Sequence, residues 1–143
     1  MAVTGSMHER PMMDFSEAMT ALDGMLTVSA SSAESPLAVT IVNEDGDLVC
    51  YARMDKAPFY AEKESLELAQ KARLYGVDLH IRSTDQHLAL PTDLPRPSAV
   101  VVREMGVVIG AIGVSGGATS RNVQIARLGL ELFATAAAMR SNK

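Results

Sequence analysis

The stretch "PLAVTIVNEDGDLVCYARM", residues Pro36 to Met54, decides the fold that this chain is expected to adopt. Its two halves, "PLAVTIVN" and "LVCYARM", are rich in the β-branched and apolar residues that favour strands. Between them, "EDGD" supplies turn residues, with Gly46 at the tip. The stretch therefore predicts two antiparallel strands joined by a tight turn.

A second hairpin is predicted further along the chain, in "SAVVVREMGVVIGAIGVSGG", with its turn near Glu104, Met105 and Gly106. Between the two hairpins, "VDLHIR" alternates in polarity and predicts a short strand. The stretch "STDQHLALPTDLPRP" that follows is rich in residues that break regular structure, so no element is predicted for it.

Three helices are predicted around these hairpins. Asp14, with Glu17 three residues later, has the spacing of a capping box and begins a helix of about four turns. The period of "AEKESLELAQKARLYG" predicts a second helix that ends at Gly76. The third predicted helix is the long amphipathic stretch "SRNVQIARLGLELFATAAAMR".

Strand pairs separated by helices are typical of an α+β domain with an antiparallel sheet. Residues 14–143 are expected to form that single domain, preceded by a flexible segment over residues 1–13.

Composition disfavours several classes of protein. The net charge of −4 comes from 13 Lys and Arg against 17 Asp and Glu, so no overall positive field attracts nucleic acid. No signal peptide is recognised, and the longest apolar run, Gly106 to Val114, is too short to cross a bilayer. The single Cys50 cannot form an intramolecular disulfide or a cysteine-based zinc cluster. These features predict a cytoplasmic protein that does not associate with membranes.

The end of the second hairpin is a candidate ligand site. Backbone amides of Gly116 and Gly117, close to a helix N-terminus, suit a carboxylate or phosphate. The alternative is a glycine turn followed by an N-cap from Thr119 or Ser120. Ser115 also resembles the serine of a hydrolase elbow, but no histidine follows it in the chain, which disfavours that chemistry.

Charged residues extend this candidate site. Arg53 and Asp55 lie at the end of a strand, and Lys71 and Arg73 lie on the helix that follows it. Arg53 could bind a carboxylate through both of its terminal nitrogens, or it could form a surface pair with Asp55. The pattern leaves both possibilities open.

The three histidines His8, His80 and His87 do not form a recognisable metal motif, and no metal site is predicted. Any of the three could ligate the iron of a haem, and the sequence does not choose among them.

Three stretches also resemble the GlcG/HbpS family, which includes the C-terminal domain of PduO-type cobalamin adenosyltransferases. They are "PLAVTIVNEDGDLVCYARMDKAP", "AEKESLELAQKAR" and "GVVIGAIGVSGG", and the resemblance extends from about Asp14 to Ala136. The family octet G-A-I-G-V-S-G-G is complete at Gly110 to Gly117. The other matching positions are Arg53, Met54, Asp55, Ala57 and Pro58 in the strand-end motif and Lys71 and Ala72 in the helix motif.

The sequence departs from the family pattern at several positions. Lys56 stands where the family has glycine, and Leu74 where threonine is common. Asn43 replaces an aspartate, and the proline-rich "LALPTDLPRPS" replaces a stretch with two glycines. The last two changes could alter the shape of a pocket.

The resemblance implies a profilin-like α+β fold with a central antiparallel sheet, a homo-oligomer, and haem binding as known for several members. The predicted ligand-binding residues are Arg53, Asp55, Lys71, Ser115, Gly116 and Gly117. The first expectation is a small cytoplasmic protein that binds haem, a related tetrapyrrole or another anionic small molecule. The alternatives are an enzyme for a small acidic or carbonyl metabolite, in which Lys71 or Asp55 moves protons, and an assembly domain without a ligand.

Overall fold

The computed structural model describes residues 11–31, 36–80 and 96–141 of the chain. In chain order, the elements are α1 (Phe15–Ala30), β1 (Ala38–Asn43), β2 (Leu48–Arg53), α2 (Ala61–Tyr75), β3 (Leu79–His80), β4 (Ser98–Glu104), β5 (Val107–Ser115) and α3 (Thr119–Ser141). The expected α+β class is confirmed, with a central antiparallel sheet between layers of helices.

The five strands of the described ranges join one antiparallel sheet in the order β2-β1-β5-β4-β3. Both predicted hairpins are present as neighbouring pairs, β1 with β2 and β4 with β5. The two hairpins meet along β1 and β5, where Ala38 pairs with Ser115 and Asn43 pairs with Gly110. This central pairing brings the end of "GAIGVSGG" beside the start of the first hairpin.

Local signals in the sequence explain where the elements begin and turn. The Asp14 carboxylate accepts hydrogen bonds from the amides of Ser16 and Glu17, at 2.8 and 3.2 Å, and so caps α1. The side-chain oxygen of Asn43 accepts from the amides of Asp45 and Asp47, both at 3.0 Å, and so shapes the β1–β2 turn.

The helices cover the two faces of the sheet differently. On one face, α1 and α3 pack on large aliphatic side chains; the buried cluster there includes Val39, Ile41, Val100, Ile112, Val114 and Ile125. On the other face, α2 packs through small residues such as Ala69 and Ala72 against Ala99 and Ala111. Because these side chains are short, α2 lies close to the backbone of the sheet.

None of the helices in the described ranges combines the length and the apolar character that crossing a bilayer requires.

Candidate functional site

The structure separates the predicted site residues into two groups. Arg53 and Ser115 both pair with Ala38 of β1, so they lie at the same end of the sheet, two strand spacings or about 10 Å apart. Lys71 lies towards the C-terminal end of α2, beside Asp45 and Gly46 of the β1–β2 turn. The structure therefore does not bring Lys71 together with Arg53 and Ser115.

At the Ser115 end, internal hydrogen bonds occupy groups that were predicted to bind ligand. Ser115 is fully buried, and its hydroxyl donates to the Glu64 carboxylate of α2. The Gly117 amide donates to the side-chain oxygen of Asn122 at 3.1 Å. Gly116 has a φ of +101°, which a glycine turn requires. The role of these three residues in ligand binding stays a prediction.

At two other glycines of "GAIGVSGG", close packing of the backbone leaves no room for a side chain. A Cβ on Gly110 would lie 2.2 Å from the carbonyl oxygen of Val42, and one on Gly113 would lie 2.1 Å from that of Ser65. Both distances are far below van der Waals contact. The spacing of the motif therefore follows from the close approach of β1 and α2 to β5.

Arg53 organises the loop between β2 and α2. Its guanidinium donates to the carbonyl oxygens of Ala57 and Pro58 while remaining exposed to solvent. Asp55 lies exposed in the same loop. Arg53 thus stabilises the loop between β2 and α2. The role of Arg53 and Asp55 in ligand binding stays a prediction.

The half-buried carboxylate of Glu64 at this end was not predicted from the sequence. Burial raises the pKa of Glu64, while the hydrogen bond from Ser115 and the positive charge of Arg96 oppose that rise. Arg96 is itself only 4% exposed. Glu64 and Ser115 are 51 positions apart in the chain, so no local pattern could have indicated their contact.

The Lys71 end has open space. A cleft of about 300 Å³ is lined by Asp45, Gly46, Glu67, Gln70, Lys71, Arg73 and Leu74. Beside it, a cavity of about 840 Å³ is lined by Pro11, Met12, Glu44, Asp45, Arg73, Val107 and Val108. Asp45 and Arg73 belong to the walls of both, so the two spaces adjoin. We refer to them together as the turn-end site.

Arg73 is the central cation of the turn-end site. Its guanidinium lies over Gly46, where an added Cβ would be 3.3 Å from the terminal nitrogen Nη2. The buried Nε of Arg73 has no hydrogen-bond partner among the residues that the structure describes. The sequence places Arg73 beside Lys71 among the charges near the candidate site, but the six predicted ligand-binding residues do not include it, since only the fold brings it against the turn.

The turn-end site combines charge with apolar walls. Arg73 and Lys71 supply positive charges, and Glu44, Asp45 and Glu67 supply negative ones. Met12, Val107 and Val108 supply apolar contact surface. A pocket of several hundred Å³ with this lining suits an apolar molecule that carries carboxylates. Nowhere in the described residues, the turn-end site included, are three His, Cys, Asp or Glu side chains grouped as metal ligands.

Comparison with known proteins gives a family and several similar folds. A family model described as "Haem degrading protein HbpS-like" matches residues 13–131. Klebsiella pneumoniae ORFY is 18% identical with a TM-score of 0.74, over 88% of this chain and 94% of that protein. A PduOC:heme complex is 15% identical with a TM-score of 0.69, over 85% and 95%. A double mutant of Streptomyces reticuli HbpS is 18% identical with a TM-score of 0.68, over 90% and 91%.

At these identities the three solved structures show a shared fold. None of the curated proteins compared with this sequence matches it.

Proposed function

Since the chain belongs to the HbpS-like family of haem-degrading proteins, we propose that it binds haem or a closely related tetrapyrrole, and that it does so at the turn-end site. The family match covers nearly the whole chain, and a protein of similar fold has been crystallised as a heme complex. Both findings support a haem-type ligand. The location is our inference from the geometry of this chain.

The observation that carries the location is Arg73 in the wall of an open, partly apolar cavity. A haem has a flat apolar macrocycle and two propionate groups, so its site needs apolar walls and cations. The apolar walls are supplied by Val107, Val108 and Met12. The cations are Arg73 and Lys71. The proposal is supported by the buried Nε of Arg73, which has no partner within the described ranges and so leaves part of the hydrogen-bonding capacity of this guanidinium unused.

The residues present therefore fit the group. When bound, haem would supply a redox-active iron. The chain's own contribution would be to hold the propionates at Arg73 and Lys71 and to shield one part of the macrocycle with Val107 and Val108. Met12 in the cavity wall is one residue whose sulfur could bind the iron.

The histidines are the other candidates. His8 stands three residues before Pro11 in the sequence, and Pro11 lines the larger cavity. His8, His87 and the side chain of His80 lie outside what the structure describes, so the choice among them stays open to experiment.

The test is a titration with hemin that follows the Soret band in the wild type and in Arg73→Ala. We expect saturation at one equivalent for the wild type and a dissociation constant at least tenfold higher for Arg73→Ala, because a charge-assisted hydrogen bond is lost. Arg127→Ala is the matched control, since Arg127 is an exposed arginine on α3 that does not line the turn-end site.

Each result has a distinct meaning. Without a saturable Soret shift, haem binding itself would be refuted. Saturable binding that Arg73→Ala and the double variant Lys71→Ala/Arg73→Ala leave unchanged would place the ligand elsewhere, with the Ser115 end as the next region to test.

A further inference from the structure

The turn-end site contains negative charges as well as positive ones. Two acidic residues of the β1–β2 turn, Glu44 and Asp45, line the larger cavity together with Arg73, and Asp45 also lines the smaller cleft with Lys71. A ligand that used both cations would therefore also meet these two carboxylates. The number of carboxylates that the site accepts is then limited by its own charges.

The local structure holds the Glu44 side chain and the Asp45 backbone, while the Asp45 side chain is exposed. The Glu44 carboxylate accepts a hydrogen bond from the Met13 amide at 3.4 Å, which ties it to the segment that enters α1. The backbone of Asp45 is held by the hydrogen bond from its amide to Asn43. A third acidic residue, Glu67 in the smaller cleft, lies 3.8 Å from Lys63 and is partly neutralised by it.

The effect of Glu44 and Asp45 on binding depends on how many carboxylates a tetrapyrrole carries. Two propionates can pair with the two cations, but a third or fourth carboxylate on the same ring would come near Glu44 or Asp45. Two like charges about 4 Å apart in water repel enough to weaken binding about fivefold, and the effect grows where solvent is excluded.

We propose that Glu44 and Asp45 make the turn-end site selective for tetrapyrroles with two carboxylates, as in protoporphyrin, against those with four or eight. This inference rests on the proposed function and adds the class of tetrapyrrole that the site accepts. Glu44 and Asp45 act as specificity determinants by repulsion, while Lys71 and Arg73 provide the attraction.

The test uses metal-free porphyrins, so that iron ligation cannot affect the comparison. Protoporphyrin IX, coproporphyrin and uroporphyrin are titrated by fluorescence against the wild type and against Glu44→Gln/Asp45→Asn. The apolar ring substituents of protoporphyrin already favour it, so the decisive quantity is the change in the affinity ratio between protein variants. The double variant should narrow the ratio of protoporphyrin to coproporphyrin affinity at least fivefold, mainly by tighter binding of coproporphyrin.

The control variant is Asp23→Asn/Glu131→Gln, on helices α1 and α3, which pack on the face of the sheet opposite to α2. It removes the same number of charges from exposed residues that line neither cleft. It should leave the ratio within about twofold of wild type, because exposed charges further than a Debye length of about 10 Å from the ligand are screened.

The outcomes separate the two proposals. If protoporphyrin binding depends on Arg73 but the ratio is the same in the wild type and Glu44→Gln/Asp45→Asn, repulsion by these residues is refuted and the proposed function stands. An equal change in the control would also refute it, since net charge alone would then explain the effect. If protoporphyrin does not bind saturably to any variant, the turn-end site as a tetrapyrrole site is refuted.

Discussion

Replacing Gly113 with alanine should separate α2 from the sheet. Gly113 lies in β5 under α2, and a Cβ there would be 2.1 Å from the carbonyl oxygen of Ser65 and 3.1 Å from the Cβ of Ala69. The first contact is with helix backbone, which no rotamer change can relieve. To reach an ordinary contact of about 3.4 Å, α2 would have to move away by about 1.3 Å.

The cost of that movement can be worked out from what holds α2 in place. Overpacking a well-packed core costs about 1–3 kcal/mol. The displacement would also stretch the buried hydrogen bond between Thr40 and Ser65, now 2.7 Å long, which contributes about 1 kcal/mol. We expect Gly113→Ala to lower the free energy of unfolding by about 3 kcal/mol. For a chain of this size, that corresponds to a fall in Tm of roughly 10 °C.

Urea unfolding followed by circular dichroism measures this loss, and Gly106→Ala is the comparison. Gly106 has a φ of +78° and open space around its Cα, so alanine there costs only backbone strain, about 1–2 kcal/mol. Gly113 has no positive φ, so its cost is one of packing alone. If Gly113→Ala is no more destabilising than Gly106→Ala, the close packing of α2 against Gly113 is refuted.

Two further predictions concern single titratable groups. Asp14→Ala should cost about 1 kcal/mol near neutral pH, because the cap of α1 is lost. Hydrogen bonds from Ser16 and Glu17 lower the pKa of Asp14 below 3.8, so its stabilising effect is present above that value and is lost as the pH falls through the lower, folded-state pKa. Unfolding curves should show the wild type and variant converging in acid, and a constant difference would contradict the cap. Burial raises the pKa of the Cys50 thiol to about 11, so a thiol reagent at mildly alkaline pH should label the folded protein far more slowly than the urea-unfolded one. Equal rates would show that Cys50 is accessible.

The elements of this fold were predictable because their signals are local. A run of strand-forming residues on either side of "EDGD" is sufficient to specify a hairpin, since the pairing partner is only a few residues away. Asp14 and Gly76 mark the start of α1 and the end of α2, as their capping chemistry predicts. Of the predicted strand in "VDLHIR", Leu79–His80 is described as β3, and its last two residues lie outside the described ranges.

The candidate site was predicted less well, for a physical reason. Arg53 and Ser115 do lie at one end of the sheet, but Lys71 lies about two helical turns along α2 from Glu64, the residue that contacts Ser115. Local patterns in the sequence place these charges at the ends of elements. They do not show which end of the helix each strand end meets, because that depends on the direction in which α2 crosses the sheet.

By itself, the sequence determined the helices, the two hairpins, the α+β class and the family, all of which rest on residues close together in the chain or on complete motifs. Only the tertiary structure decided what the glycines of "GAIGVSGG" do and where a ligand has room. Gly113 must be glycine because α2 crosses directly above it, and Arg73 faces a cavity because the β1–β2 turn folds beneath its guanidinium. Both facts follow from contacts between segments that are distant in sequence, which only the packing of the whole domain brings together.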